Sequence, residues 1–527
     1  MIKQRLAALL HTSCIRRFSR IALFTLFSAT ASAEAEKPNF LFVVADDLND
    51  FIGVMNSETG VHTPNIDKLA NQGTLFTNAH SNAPVCSPSR ASFLSGIYPH
   101  RSGHYNFNNW RKNPVLNQSK TLMEFLSEQG YHTTGAGKVM HHQWPSAWDE
   151  YDIRPDYTPL AFNGEKVTQH PGVPAPYGKL VGPLDSTFAR LSNVPHVKPG
   201  NGKPGHEGWY YGGFKKPFQY TDENNRDPLP DEMYAQWAAD KIRAFDNDGL
   251  DKPFFISLGF IRPHTPLVVP DRFFEQYPLD TIRLPELLEG DDHDTHFESI
   301  FGAKESKGRK HYRLLMESFP DKETALKRYY QAYLASVSFM DEQLGQVMAA
   351  LAESRFADNT VVVFTSDHGY NLGEKDNLFK NNLWERSTRV PLIVFDPRMA
   401  GGQKIDAAVS LIDLYPTFKD LAGLQGDNKK SPAGGDLDGL SLVPLMNGTE
   451  TRPRTALTVV KTDKGKPNFS LRNRDWRYIL YGNGKEELYH NRMDPQEHHN
   501  LADDADYATQ KASLKANLLA QTADARQ

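Results

Sequence analysis

The run Asn39-Phe40-Leu41-Phe42-Val43-Val44-Ala45, followed by Asp46-Asp47, decides the fold of this chain. An uninterrupted apolar run of this length is typical of a strand that is buried on both faces of a parallel sheet. Further strands are predicted at 131–135, 253–259, 360–365 and 391–395, with helices at 63–73, 121–129 and 323–354. Because strands alternate with helices, the sequence predicts an α/β fold with helices on both faces of the sheet.

The pattern changes after about residue 448. Four short stretches with strand character, 456–460, 468–471, 476–481 and 487–489, precede a helical stretch near 509–523. Short strands that follow one another closely pair most simply as an antiparallel sheet. We therefore expect a main α/β domain over residues 34–448 and a smaller C-terminal subdomain, an antiparallel sheet with a helix, over residues 449–527.

The first 33 residues have the composition of a secretory signal peptide. Five basic residues and no acid accompany an apolar run at 21–27, and the small residues Ala31-Ser32-Ala33 close the segment. The apolar run is too short to span a membrane. Cys14 lacks the small and aliphatic neighbours of a lipoprotein cleavage site. The sequence therefore predicts export to the periplasm or the exterior without a membrane anchor.

Removal of this segment changes the charge and the cysteine content. It takes five of the 59 basic residues, so that 54 remain against 64 acidic ones, and the net charge falls from −5 to −10. Proteins that bind nucleic acid or coat polyanions need basic surfaces, so this composition argues against both classes. Attraction to an anionic ligand has to come from a local pocket. Only Cys86 remains of the two cysteines, which leaves no disulfide within the mature chain.

Polar residues follow two of the predicted strands directly, at the sheet edge where α/β proteins bind ligands. Asp46-Asp47 ends the first strand, and Ser366-Asp367-His368-Gly369 follows the strand at 360–365. Either motif alone is more typical of a solvated turn. Together they supply three carboxylates and an imidazole at one edge, and oxygen ligands suit Ca²⁺ or Mg²⁺. The sequence thus indicates a cation site.

A third motif, Cys86-Ser87-Pro88-Ser89-Arg90, opens a short helix that Gly96 closes. Cys86 then lies at a helix N-terminus, where free backbone N–H groups attract an anion, and Arg90 follows one turn later. A buried apolar filler is the ordinary role of a lone cysteine. This position instead predicts a reactive thiol.

Two stretches without periodicity, 143–228 and 280–320, interrupt the order of strands and helices. The first is rich in proline, glycine and aromatic residues, and the second carries Lys304, Lys307, Arg309 and Lys310. Long loops of this kind in an enzyme are usually lids or binding surface, and a plain surface excursion is the alternative.

The motifs together resemble those of the type I sulfatases, in which the cysteine of C-x-P-x-R is oxidised to formylglycine. The segments that match, in the same order along the chain, are Asp46-Asp47, Cys86 to Arg90, Gly137-Lys138-Val139-Met140-His141, Pro263-His264-Thr265-Pro266, Asp367-His368-Gly369, Lys380 and the C-terminal run from Trp476 to Leu501. Within the family, the G-K-V-x-H segment and the Lys380 region are most similar to iduronate-2-sulfatase and its bacterial polysaccharide-sulfatase relatives. His368 stands where many sulfatases have Asn or Gln.

The resemblance implies an alkaline-phosphatase-like fold, a mixed or parallel sheet between helices, for the catalytic domain at 34–448. It implies that a maturation enzyme converts Cys86 to formylglycine, whose hydrate attacks sulfur. It also implies one Ca²⁺ per chain. The ligands of that ion would be Asp46, Asp47, residue 86, Asp367 and His368. The resemblance further implies that Arg90, Lys138 and Lys380 add positive charge around the sulfate. His264, which contacts the sulfate, would protonate the leaving oxygen, and His141 would take the proton from residue 86.

The sequence therefore predicts an exported sulfatase that hydrolyses sulfate monoesters on carbohydrates. The acidic composition favours a closed, exo-acting pocket, and the iduronate-like motifs favour a 2-O-sulfate on an algal glycan such as carrageenan or ulvan, or on an animal glycan. A phosphonate monoester or phosphodiester hydrolase of the same superfamily is one alternative. A catalytically inactive binder of sulfated glycans is another, although every nucleophile and metal position of the motifs is filled.

Overall fold

The apolar run at 39–46 forms an interior strand of a nine-stranded sheet in the computed structural model, which describes residues 36–197, 205–462 and 465–523. The predicted signal peptide, residues 1–33, and Cys14 lie outside these ranges. The strands of the sheet are β1 (Asn39–Asp46), β2 (Thr74–His80), β3 (His132–Gly137), β4 (Glu150–Tyr151), β5 (Phe254–Pro263), β6 (Thr360–Ser366), β7 (Arg389–Phe395), β8 (Gln403–Ile405) and β9 (Val409–Ser410).

The order across the sheet is β8-β2-β7-β6-β1-β5-β3-β4, and β9 pairs with β2. β1 runs parallel to both of its neighbours, whereas β7 runs antiparallel to β6 and β2, so the predicted mixed sheet is confirmed. In the register of β1, Asp46 pairs with Pro263 and Ala45 pairs with Ser366. The carboxyl ends of β5, β1 and β6 therefore meet at one edge.

Helices cover both faces of the sheet, as the sequence predicted. Leu41 and Val43 of β1 pack into one core and Phe40 and Phe42 into the other, which is the alternation that a strand imposes. The longer helices are α1 (Pro64–Gln72), α2 (Cys86–Ser95), α3 (Leu122–Glu128), α4 (Pro230–Asn247), α5 (Lys307–Met316), α6 (Lys322–Ala352), α7 (Leu414–Leu421) and α8 (Ala508–Gln521). Helices α1, α4 and α6 contribute to the first core and α2, α3 and α7 to the second.

A second, antiparallel sheet follows toward the C-terminus. Its four strands are β10 (Ala456–Val460), β11 (Asn468–Arg472), β12 (Arg477–Leu480) and β13 (Glu486–Tyr489), and they pair in chain order. Leu514 and Leu518 of α8 pack against Leu457 and Leu471. The described residues from Lys37 onward form one compact unit, and the boundary at 448 stays a prediction.

The structure adds elements that the sequence pattern did not predict. β2, T-L-F-T-N-A-H, lies inside the sheet, but it starts directly after Gly73 and carries polar residues, so it lacks the uninterrupted apolar run of β1. Helix α4 buries a stripe of tyrosine, alanine and isoleucine, and alanine gives only a weak hydrophobic signal. Thr63 precedes α1, yet its hydroxyl bonds Asp67 Oδ1 at 3.1 Å instead of capping the helix.

The described parts of the two insertions contain short strands and helices outside the main sheet. Within the first, Phe188–Arg190 forms a strand parallel to Leu267–Val269, which follows β5, and the second contains α5. Over the part of the chain that the structure describes, every helix is too short or too polar to cross a membrane.

Candidate active site

The carboxyl edge of the sheet gathers the predicted site residues into one buried cluster. Asp46 ends β1 and Asp47 follows it, His264 follows β5, and Asp367 and His368 follow β6. These five side chains have at most 7% of their surface exposed. Asp47 adopts a left-handed conformation, with φ of 66°, and its backbone N–H donates to Asp367 Oδ1 at 3.3 Å. The strained backbone at Asp47 turns the chain so that neighbouring carboxylates point into the same space.

Cys86 lies at the centre of this cluster, at the first turn of α2. Its Sγ is 3.3 Å from His368 Nε2, and Lys380 Nζ donates to it at 3.3 Å. Burial and the Asp46 carboxylate raise the pKa of Cys86 to about 12. The sequence indicated a reactive thiol. In this enclosed position the thiol instead stays protonated at neutral pH, because desolvation outweighs the helix N-terminus and the two nearby lysines.

Arg90 connects α2 to the ends of three strands. Its Nε donates to Asp367 Oδ2 at 2.8 Å, and one guanidinium nitrogen donates to Asp46 Oδ1 at 3.2 Å. The other guanidinium nitrogen donates to the carbonyls of Lys138 and Val139, just after β3. Arg90 thus holds two candidate ligand carboxylates and the Lys138 segment in fixed positions.

Two lysines complete the positive charge of the cluster. Lys138 Nζ pairs with Asp46 Oδ2, and Lys380 Nζ pairs with Asp47 Oδ1. Burial lowers the pKa of each ammonium, but the paired carboxylate and the other neighbouring acidic groups together outweigh burial, so both pKa values are raised and both lysines are charged. Lys380, for which the sequence offered only the family resemblance and its spacing from His368, is therefore in the cluster.

The two remaining predicted histidines lie at different distances from Cys86. His264 offers Nε2 to the same space as Asp47 and Cys86, and this nitrogen is 3.8 Å from Asp47 Oδ2. Its Nδ1 donates to Thr265 O at 2.6 Å, so Nε2 is the nitrogen that exchanges protons. Burial, followed by the charge of Lys380, lowers the pKa of His264, and the ring is neutral at pH 7.

His141 lies farther out, where its ring packs 4.9 Å from the ring of Phe107. Burial and Lys138 lower the pKa of His141 to about 3. Its buried Nδ1 meets no hydrogen-bond partner among the described residues. The structure therefore places His141 beside the cluster, within the electrostatic reach of Lys138 and Arg90, but not in hydrogen-bond contact with Cys86.

The donor set fits a divalent cation that prefers oxygen. Ligand atoms of Asp46, Cys86, Asp367 and His368 all lie within 4.8 Å of one another, as do those of Asp47, Cys86 and His264. His368 Nδ1 donates to Gly369 O at 3.0 Å, which leaves the Nε2 lone pair facing this space. Burial raises the pKa of Asp47, and it raises that of Asp367 to about 6, because the neighbouring cations compensate these carboxylates incompletely. A divalent cation in this space would favour the charged form of both carboxylates.

The structure also brings in residues that the sequence did not single out. The ring of Tyr157, from the first insertion, lies 5.0 Å from the ring of His264 and 5.1 Å from Lys138 Nζ. The hydroxyls of Ser81 and Ser89 both donate to Asp367 O, at 2.7 and 2.6 Å. An aromatic in a loop without periodicity gives no signal of its position, so only the tertiary structure identifies Tyr157.

Comparisons with known proteins find matches over most of the chain. The family model described as Sulfatase matches residues 38–424, and the one described as N-sulphoglucosamine sulphohydrolase, C-terminal, matches residues 373–524. The chain is 34% identical to a sulfatase of Formosa agariphila over 92% of this chain and 87% of that protein. It is 29% identical to the iduronate 2-sulfatase of Mus musculus over 75% of this chain and 71% of that protein.

Among solved structures, one similar fold is an enzyme in complex with its substrate D-glucosamine-2-N,6-O-disulfate. Its TM-score is 0.64 at 21% identity, and the match covers 93% of this chain and 98% of that chain. The likeness confirms the fold that the sequence motifs predicted.

Proposed function

The chain belongs to the sulfatase family, and from that premise we propose that it is an exported carbohydrate sulfatase that acts through formylglycine at position 86 with a bound Ca²⁺. One observation carries the proposal. The Cys86 side chain lies in a buried space bordered by three carboxylates, His368, Lys380 and the N-terminus of α2. Such a space holds an anion and a cation side by side.

Two chemical functions in this proposal would come from the modified residue and the metal and not from unmodified side chains. Formylglycine at position 86, as its hydrate, would provide the oxygen nucleophile, and Ca²⁺ held by Asp46, Asp47, Asp367 and His368 would provide Lewis-acid polarisation of the sulfate. The remaining chemistry belongs to the side chains of this chain.

The three cations bind and orient the sulfate group. Arg90, Lys138 and Lys380 are each less than 5% exposed along the side chain, so they attract sulfuryl oxygens in a site of low dielectric constant. They are already held by carboxylates and backbone carbonyls. Stabilisation of charge in the transition state therefore requires little reorganisation.

Two histidines would carry out the proton transfers of the reaction. We assign His264 Nε2 as the donor to the leaving sugar oxygen, because Nδ1 is engaged by Thr265 O. The neighbouring cation Lys380 lowers the pKa of His264, and an entering sulfate monoester offsets that cation, so substrate binding favours protonation of Nε2. His141, neutral with a free Nδ1, is the acceptor for a proton from residue 86.

Support for a sugar substrate comes from the relatives and from the composition. A relative that shares 29% identity over three quarters of this chain is named iduronate 2-sulfatase, which favours a sugar 2-O-sulfate. The acidic chain, with a net charge of −5, attracts an anionic glycan only through this local site. The signal-peptide composition of residues 1–33 supports export.

The test begins with the protein co-expressed with a formylglycine-generating enzyme. Mass spectrometry of the peptide that contains residue 86 should show conversion of the thiol to the aldehyde. The converted protein should then release sulfate from 4-nitrophenyl sulfate and from desalted oligosaccharides of carrageenan, ulvan and glycosaminoglycans. Treatment with a chelator should abolish this activity, and Ca²⁺ should restore it.

Two variants of α2 provide the matched comparison. Cys86→Ala should lose all activity, whereas Ser95→Ala, whose hydroxyl bonds only carbonyls of its own helix, should keep it. Faster hydrolysis of an aryl phosphonate monoester than of any sulfate would favour a phosphonate hydrolase instead. Binding of sulfated glycans without turnover by the converted protein would favour an inactive binder.

A further inference from the structure

A lysine and an aspartate from the two insertions meet beside the candidate active site. Lys307 Nζ, on the first residue of α5, lies 2.7 Å from Asp185 Oδ2. Asp185 belongs to the insertion at 143–228 and Lys307 to that at 280–320. Neither residue is part of the metal cluster or of the cations around Cys86.

The pair is attached to the site on two sides. Thr265 Oγ1 donates to Asp185 Oδ1 at 3.2 Å, and Thr265 directly follows His264. Lys307 Nζ lies 4.0 Å from the ring centre of Phe379, which directly precedes Lys380. Lys307 therefore contacts Phe379, the chain neighbour of Lys380, and is linked through Asp185 to Thr265, the chain neighbour of His264.

Lys307 differs from the inner cations in its exposure. Its side chain is 50% exposed, whereas those of Arg90, Lys138 and Lys380 are at most 4% exposed. An ammonium has three donors, and Asp185 takes one of them. Because the Lys307 side chain is half exposed to solvent, we expect the ion pair to add only modestly to stability. What it provides is a charge held in one place with donors left over.

We propose that Lys307 is a specificity-determining residue that binds a second anionic group on the sulfated sugar, with Asp185 and Phe379 as its positioning residues. The inference rests on the proposed sulfatase function. The shared chemistry is an oxyanion near the scissile sulfate, either the carboxylate of a uronate or another sulfate. A charge-assisted hydrogen bond from a fixed ammonium recognises both.

The experiment compares substrates that differ only in the second anion. The converted enzyme and its Lys307→Gln variant are assayed on 4-nitrophenyl sulfate, on a sulfated uronide disaccharide, on the same disaccharide with its carboxylate reduced to an alcohol, and on a disulfated hexosamine. Lys307→Gln should lower kcat/KM at least about 10-fold on whichever substrate carries the recognised anion. The same substitution should change kcat/KM on the aryl sulfate and on the reduced disaccharide by less than about 2-fold.

Two controls separate charge from other effects. Lys307→Arg keeps the charge and should retain most of the activity on the anionic sugar. Lys120→Gln removes another ion-paired lysine, 2.7 Å from Glu128 and outside the candidate active site, and should have no effect. The relative losses on the uronide and on the disulfated sugar identify which anion Lys307 binds.

Other results would overturn the inference. If Lys307→Gln lowered kcat/KM equally on all substrates, or on none, Lys307 would not bind a second anion of the substrate. If the converted wild-type enzyme hydrolysed no sulfate at all, including 4-nitrophenyl sulfate, the proposed function itself would fail, and that outcome is seen before any variant is made.

Discussion

Replacement of Arg90 by methionine tests whether this side chain and a divalent cation neutralise the same carboxylates. Arg90 is buried and bonds Asp367 Oδ2, Asp46 Oδ1 and backbone carbonyls at the end of β1 and just after β3. Methionine fills a similar volume without charge. Asp46 keeps Lys138, whereas Asp367 loses its only ion-paired arginine and keeps backbone N–H bonds.

The size of the effect follows from these contacts. Removal of one partner of a buried ion pair costs about 3–5 kcal/mol, because an uncompensated charge remains in a medium of low dielectric constant. In a chelator, Arg90→Met should therefore lose about 3–5 kcal/mol of unfolding free energy. Calcium at 100 times its dissociation constant returns about 2.7 kcal/mol to a protein that binds it only when folded. At the same calcium concentration, calcium should stabilise the variant by at least about 1 kcal/mol more than the wild type, because the variant lacks one cation that repels calcium.

Urea unfolding with a chelator and with added CaCl₂ measures both quantities. Arg386→Met is the matched control, since Arg386 is a largely buried arginine that pairs with Asp50 and Glu374, outside the candidate metal ligands. It should lose comparable stability, and calcium should stabilise it no more than the wild type. If calcium stabilised the two variants equally, or if Arg90→Met lost less than about 1 kcal/mol in chelator, the reasoning would be wrong.

Three further predictions concern packing, acid stability and catalysis. Phe418→Ala should lose about 3–5 kcal/mol in urea unfolding, because its ring packs with ring centres 5.1, 5.3 and 5.7 Å from three phenylalanines of the sheet; a loss below 1 kcal/mol would contradict this. Burial lowers the pKa of His104 to about 4, so this side chain takes up a proton at a lower pH in the folded state than in the unfolded state. The free energy of unfolding therefore falls as the pH falls from about 6.5 toward 4. His104→Gln should reduce the stability lost between pH 7.5 and 5 by about 2 kcal/mol, and an unchanged loss would refute the assignment. Lys380→Met should lower kcat/KM on 4-nitrophenyl sulfate at least about 100-fold through kcat, and a rise in KM with kcat unchanged would mean that Lys380 binds the ground state and the transition state equally.

The sequence predicted most clearly the parts of the fold that have a strong local signal. Strands β1, β5 and β6 are uninterrupted apolar runs, and the structure has each of them within a few residues of the expected bounds. Helix α3 begins with the capping box of Thr121 and Glu124, which is visible in the sequence. The interior strand β2 was not predicted, because its polar residues interrupt the apolar pattern of a buried strand. The neighbouring strands of the sheet bury these residues, and the sequence of β2 alone does not indicate this.

For the site, the sequence identified residue types at strand ends but not their pairings. Spacing alone cannot indicate that Lys138 pairs with Asp46 and Lys380 with Asp47, since these contacts join segments 92 and 333 residues apart. Nor can it indicate that the Cys86 thiol has a raised pKa, because burial is a property of the assembled fold. The roles of the individual residues in catalysis stay predictions until the variants are assayed.

A chain with a net negative charge attracts an anionic substrate only where positive charge is concentrated at the binding site. The inner cations Arg90, Lys138 and Lys380 equal in number the three carboxylates Asp46, Asp47 and Asp367, so the formal charges of these six side chains cancel without a metal. A bound Ca²⁺ would then make the pocket positive while the remainder of the surface repels polyanions. On this argument the metal has two effects, polarisation of the sulfate and creation of the net charge that draws a single sulfate group out of an acidic environment. That division explains why a local pocket, with Lys307 at its outer side, suffices where a basic surface is missing.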